Sequence, residues 1–285
     1  MVADAIVAGV TNRPVSQRVT DWAADRAVAE SRELVLVSVV GGSVGAVGED
    51  EVLQRALAGA QALATGEAER LTGKGLTVSA SGSHGIPTEV LIEQSRDAAL
   101  LVIGSDIGGA AHQGRRGPHG RRIVAGAYST VVVVPDIDVS DRSGVVVGLD
   151  GSDVSRRALA FAAAEAAKSG ETLVAVSVWM PVPMSNDYMI GGAGYYPDLY
   201  LTDLQEQTER MQGELLESTR AEHPGLRIET HVAEGDPGYE INEVARTARL
   251  AVVGTHGRTG LARLLLGSVS EHVLGELVTV TAVVR

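Results

Sequence analysis

Leu250-Ala251-Val252-Val253-Gly254 is an unbroken apolar run, and Thr255-His256-Gly257 follows it directly. A stretch this short, with no polar alternation, reads as a β-strand buried on both faces, which belongs in a parallel sheet covered by helices. The same pattern stands 150 positions earlier as Leu100-Leu101-Val102-Ile103-Gly104. Gly235-Asp236-Pro237 answers Gly85-Ile86-Pro87 at that offset too. Toward the start of each copy the offset is 139: Val145-Val146-Val147-Gly148-Leu149 answers Ile6-Val7-Ala8-Gly9-Val10, and the strand from Leu173 to Val178 answers Leu34 to Val39. The chain is therefore one unit written twice. The change of offset places an 11-residue insertion after the second strand of the second copy, where residues 180–201 are rich in Pro, Gly and Tyr and are expected to form a long loop.

Outward from these strands, the second copy alternates strand and helix. Ser155 to Lys168 carries Ala158, Ala162 and Ala166 at helical spacing, Asp203 to Glu222 is a longer amphipathic helix, and Leu226 to Val232 reads as strand three. Gly235-Asp236-Pro237 turns into a helix from Tyr239 to Thr247, and Ser268 to Leu277 is a helix before a last strand, Val278 to Val284. The first copy repeats this from Ala5 to Val134, with a polar linker at 136–144, so the expected units are 1–138 and 144–285.

Composition narrows the chemistry. The 285 residues suit two domains, and 45% apolar with 21% charged residues is an ordinary globular balance. With no cysteine there is no disulfide, thiolate metal site or cysteine nucleophile, and the expected setting is cytoplasmic. Met1-Val2-Ala3-Asp4 lacks the basic start of an export signal, and the apolar runs are far shorter than the roughly 18 residues of a membrane helix. A net charge of -12, with Lys74 and Lys168 the only lysines, disfavours a nucleic-acid partner.

In an open doubly wound sheet, ligands bind at the carboxyl ends of the strands where strand order reverses. Strand one of the second copy ends in Asp150-Gly151-Ser152, and strand four in Gly254-Thr255-His256-Gly257, followed after nine residues by Gly267-Ser268-Val269-Ser270. Glycines let the backbone approach an anion closely, and the free N–H groups of a helix starting at Ser268 attract phosphate without a lysine. Taken singly, these residues also fit plain turns, and Ser268 with Glu271 reads as a capping box.

Together, this glycine spacing, the following serine and the opening Asp150-Gly151-Ser152 resemble the universal stress protein family in its tandem two-domain form, over nearly the whole chain. The resemblance implies an α/β fold of two flavodoxin-like, adenine-nucleotide α-hydrolase-like domains, each a five-stranded parallel sheet of order 3-2-1-4-5 with helices on both faces. It implies pairing of the last strands, Val131 to Val134 with Val278 to Val284, into an intramolecular pseudo-dimer. It also implies ATP as ligand, with Mg, or another adenine nucleotide such as a cyclic one. Asp150 and the main chain at Val178 would hold the nucleoside, Gly257, Gly267, Ser268 and Ser270 the phosphates, with Val253, Gly254 and Val269 completing the site. The implied role is binding and signalling in a stress response; a nucleotide-free scaffold and an adenylyl-transferring enzyme are the alternatives.

The first copy departs from this pattern. Thr11 stands for Asp150, Ile107 for Gly257, Pro118 for Ser268 and Gly120 for Ser270, while Gly104 and Gly117 remain. Proline at the helix start deletes a donor N–H, so one nucleotide site is expected, in the second copy, with weak anion binding left to the basic stretch from Gly114 to Arg122. Gly41-Gly42-Ser43-Val44-Gly45 fits a nucleophile pattern but has no helix immediately after it and reads as a loop. No P-loop lysine motif, paired carboxylate or metal-ligand cluster stands out, and His256 alone makes no catalytic pair, so fast turnover is not expected. Tyr188, Tyr195, Tyr196 and Tyr200 place four of six tyrosines in the insertion, as a lid or partner surface or as packing for its own domain.

Overall fold

The computed structural model describes residues 4–41, 49–73, 75–105, 118–181, 198–256 and 266–285. Ile107, Gly114 to Gly117, Gly257, most of the Gly41–Gly45 motif, Tyr188, Tyr195 and Tyr196 lie outside them. The first half runs β1 (Ile6–Gly9), α1 (Val15–Glu30), β2 (Leu34–Val40), α2 (Glu49–Arg70), β3 (Val78–His84), α3 (Pro87–Gln94), β4 (Leu100–Gly104), α4 (Pro118–Gly126) and β5 (Thr130–Val134). The second repeats it as β6 (Val145–Gly148), α5 (Asp153–Ser169), β7 (Leu173–Trp179), α6 (Asp198–Glu222), β8 (Ile228–Glu234), α7 (Pro237–Ala245), β9 (Leu250–Gly254), α8 (Ser268–Glu276) and β10 (Val280–Val284).

Within each half the strands are parallel in the order 3-2-1-4-5, and the halves do not form two separate sheets. The described strands make one ten-stranded sheet, β3-β2-β1-β4-β5-β10-β9-β6-β7-β8. At its middle β5 and β10 run antiparallel, with Val132 beside Ala282 and Val131 beside Val283. Because each half is internally parallel, this one antiparallel pair points the carboxyl ends of the two halves to opposite edges of the sheet. Helices α1, α2, α5 and α6 pack on one face and α3, α4, α7 and α8 on the other, and each face carries a single buried cluster that draws side chains from both halves. The inner strands read as apolar runs because both of their faces are covered, whereas the outermost strands β3 and β8 are half-buried and carry polar residues.

Several boundaries differ from the sequence expectation, for local reasons. Ser152 caps α5 by accepting the Ser155 N–H at 3.1 Å, so this helix starts at Asp153. Asp236 caps α7 through the Tyr239 N–H at 2.9 Å with Pro237 in the first turn, so α7 starts two residues before Tyr239. Helix α6 begins at Asp198, which puts Tyr200 on a helix and shortens the expected loop. The cap of α8 is Gly267, not Ser268: no side chain caps it, and the Glu271 carboxylate instead accepts Arg121 of α4 at 2.9 Å. The capping-box reading is thereby corrected.

On the α1/α5 face an ionic cluster straddles the middle of the sheet. Arg26 of α1 pairs with the buried Glu165 of α5 and with Glu30 at 2.9 Å, and Lys168 of α5 reaches Glu30 at 2.7 Å. Burial alone would raise the Glu30 carboxyl, but the hydrogen bond from Lys168 and the charges of Arg26, Lys168 and Arg32 hold it below its ordinary 4.5. A carboxyl lowered in the folded state adds stability above its unfolded value, and this is lost as pH falls through the folded value. Wild type is therefore expected to lose melting temperature more steeply below about pH 4.5 than Glu30→Gln does, measured by thermal denaturation from pH 7 to 3; parallel curves would refute the pairing.

Candidate functional site

At the carboxyl edge of the second half, β6 and β9 are neighbours from which the chain leaves in opposite directions, β6 toward β7 and β9 toward β10. A cavity of about 310 Å³ opens there. Eight of the nine candidate residues line it: Asp150, Val178, Val253, Gly254, Gly267, Ser268, Val269 and Ser270. Gly257, the ninth, lies outside the described residues.

The backbone builds this site in two close turns. After β6, Gly151 adopts φ +84°, a conformation that L side chains rarely adopt, and the chain folds back so that the Asp150 Oδ1 accepts the Ser152 N–H at 3.0 Å and its hydroxyl at 2.6 Å. One carboxylate oxygen is thus fixed by the turn, and a carboxylate has acceptor capacity beyond these two bonds. At the end of β9, a β-carbon on Gly254 would come within 2.7 Å of Val154 Cγ1, so glycine lets α5 approach this strand end.

Opposite Asp150 stands the start of α8. The Gly267 N–H is taken by the Thr255 carbonyl at 2.8 Å, and the first intrahelical bond runs from Glu271 N–H to the Gly267 carbonyl at 2.9 Å. The N–H groups of Ser268, Val269 and Ser270 therefore have no partner within the helix, and all three residues line the cavity. Donors left without a helical partner at the positive end of a helix suit an anion. The Ser270 hydroxyl is not among them. Only 1% of this residue is exposed, and its Oγ donates back to the carbonyls of Thr255 and Gly267, at 3.2 and 2.9 Å, so any phosphate contact comes from its amide.

Val178 and Val176 from β7, with Ile241 from α7 and Val253 from β9, give the cavity apolar walls. Sequence reading passed over Leu149, Ser155, Val176, Pro237 and Ile241, which also line it. The repeat held the signal for them: Ser16, Val37, Pro87 and Leu91 stand at the matching positions of the first copy. His256 lines the cavity as well, and its buried Nε2 has no partner among the described residues. Among those residues no group of three or more His, Asp or Glu could hold a metal ion, and no helix is long and apolar enough to cross a membrane.

Comparison with known proteins agrees with this architecture. The model of the "Universal stress protein family" matches twice, over residues 3–135 and 143–285. Universal stress protein Rv2005c of Mycobacterium tuberculosis is 31% identical over 285 positions, covering 94% of this chain and 92% of its own. A second from that species, Rv2623, is 28% identical over 94% of this chain and 92% of its own. Among solved structures, a universal stress protein from Archaeoglobus fulgidus shares the fold with a TM-score of 0.70 at 18% identity, covering 100% of this chain and 99% of that one.

Proposed function

The chain belongs to the universal stress protein family, and from that premise we propose that its second half is an adenine-nucleotide-binding module, with ATP as the ligand, serving a stress response. The observation that carries this reading is the trio of N–H groups at Ser268, Val269 and Ser270, without a partner in the helix, in residues that line a cavity with apolar walls and Asp150 among its lining. Phosphates would lie on the amides, with Gly257 and Gly267 bordering them. The ribose hydroxyls would donate to Asp150, and the base would sit against Val178 and Ile241 with its edge read by main chain at the end of β7. Mg²⁺, where present, would come in on the phosphates, since no metal-holding cluster stands among the described residues. The domain division at 138–144 follows from the same reading, each unit carrying one crevice.

Ser268→Pro tests it. Ser268 is the first helical residue, where proline's fixed φ fits, and the preceding Gly267 has the extended φ -67°, ψ 154° that a following proline requires. The substitution keeps the helix and deletes one charge-facing donor, as Pro118 does in the first half. Titration calorimetry is expected to show Mg-ATP binding weakened roughly ten- to a hundredfold, with the melting temperature of the ligand-free protein unchanged. In wild type, ATP at 100 times its Kd should add about 2.7 kcal/mol of stability. Wild type that binds neither ATP nor cyclic AMP, or a variant that binds as tightly as wild type, would reject the site.

A further inference from the structure

The first half keeps the crevice while losing the nucleotide chemistry, and we propose that it binds a small, uncharged, largely apolar molecule. Its cavity, between β1 and β4, measures about 250 Å³ against about 310 Å³ in the second half. The walls are matched position by position: Val37, Val39, Leu91 and Ile103 stand where Val176, Val178, Ile241 and Val253 stand in the other. A site that had merely decayed would be free to fill with larger side chains. This one retains its apolar shell and its room.

What differs is polar. Asp150 is replaced by Thr11, whose own N–H is already committed to Ser16 Oγ at 3.0 Å, so no carboxylate lines the crevice among the described residues. The leading amide of the anion site is gone, because α4 starts at Pro118. Arg13 and His119 border the cavity but are exposed, and the buried described residues that line it are uncharged and mostly apolar, with Ser16, Thr88 and Ser105 the polar ones. The first half also adds a group. Thr88 lines the cavity, is 2% exposed, and its hydroxyl has no hydrogen-bond partner among the described residues. At the matching position of the second half stands Gly238, where a β-carbon would come within 2.5 Å of the His272 side chain, so that half has no room for such a group. Threonine in a helix populates two χ1 wells, so a ligand with a hydrogen-bonding group would give this hydroxyl the partner it lacks among the described residues.

Size fits the same class. A cavity of about 150 Å³ lined by aliphatic side chains takes up benzene, so this one has space for two fused rings with a hydrogen-bonding substituent. Since β5 and β10 are antiparallel, the two cavities open at opposite edges of the sheet and their occupants need not compete.

The test is a fluorescence titration of the full chain with 2-naphthol, a neutral fused-ring molecule with one hydroxyl. Saturable binding of one probe per chain is expected, undisturbed by millimolar Mg-ATP. Thr11→Asp, at an exposed position, should weaken it at least tenfold by placing a charge at the mouth. Val39→Trp, at the half-buried end of β2, should abolish it by filling the cavity, with unchanged ATP binding reporting that the variant is folded. Binding that does not saturate would overturn the proposal, as would displacement by ATP or loss in Val178→Trp with retention in Val39→Trp, either of which would put the probe in the second half.

Discussion

Arg26→Met is expected to lower the melting temperature by on the order of 10 °C. Glu165, in the middle of α5, is 4% exposed, and Arg26 is the counter-ion described for it. Removing one partner of a buried pair leaves an uncompensated charge, which costs about 3–5 kcal/mol, and a domain of this size loses a few degrees per kcal/mol. Arg26 also bonds Glu30 and lies 5.5 Å from the Phe161 ring centroid, so its loss loosens the contact between α1 and α5 on both sides. Methionine keeps much of the apolar stem and isolates the charge. The double variant Arg26→Met/Glu165→Leu should recover most of the loss, because a buried ion pair and a well-packed apolar pair of similar volume are often equivalent in stability. A single variant within about 1 kcal/mol of wild type, by urea denaturation, would mean that Glu165 reaches water and that the pair contributes little.

That pair could not be read from the sequence. Repetition and the positions of most strands and helices were legible because they depend on periodicity, a local property of the chain; strand order and the nine candidate site residues came from strand ends read with the family resemblance, and eight of the nine line one cavity. The contact of Arg26 with Glu165 joins residues 139 positions apart, the same offset that relates the two copies, through a packing of α1 on α5 that no local pattern announces. Pairing of the last strands was an implication of family resemblance; its consequence, one continuous sheet with a core shared across the middle, needed coordinates. Ser270 shows a subtler limit. Its place in the motif was legible, yet its hydroxyl turns inward to two carbonyls and braces the helix start, which leaves only its amide for a ligand. The first crevice shows the reverse: Thr11 in place of Asp150 and Pro118 in place of Ser268 were legible, whereas survival of the cavity was not, because volume is a property of packing.

The middle of the sheet is where the fold is most exposed to a single substitution, and Val132→Asp is expected to cost more than about 4 kcal/mol, a large part of the 5–15 kcal/mol typical of a domain. Val132 is 0% exposed, flanked in the sheet by Val102 of β4 and Ala282 of β10, and it lies in the buried cluster that also holds Ala23 of α1 and Ala162 of α5. Aspartate has nearly the volume of valine, so cavity formation and overpacking are minor, and the cost is that of a carboxyl taken from water with no partner. Val132→Thr is the control: it introduces a hydroxyl of the same shape and should lose only about 1–3 kcal/mol. Because both core clusters run through β5 and β10, wild type is expected to unfold in urea in one transition and Val132→Asp in one transition at a lower midpoint. A split curve, with the second half melting at its original midpoint while the first melts early, would show that the two halves are separately stable and that the shared strands join them without coupling them. An unshifted midpoint would show that water reaches Val132 and that the seam is open.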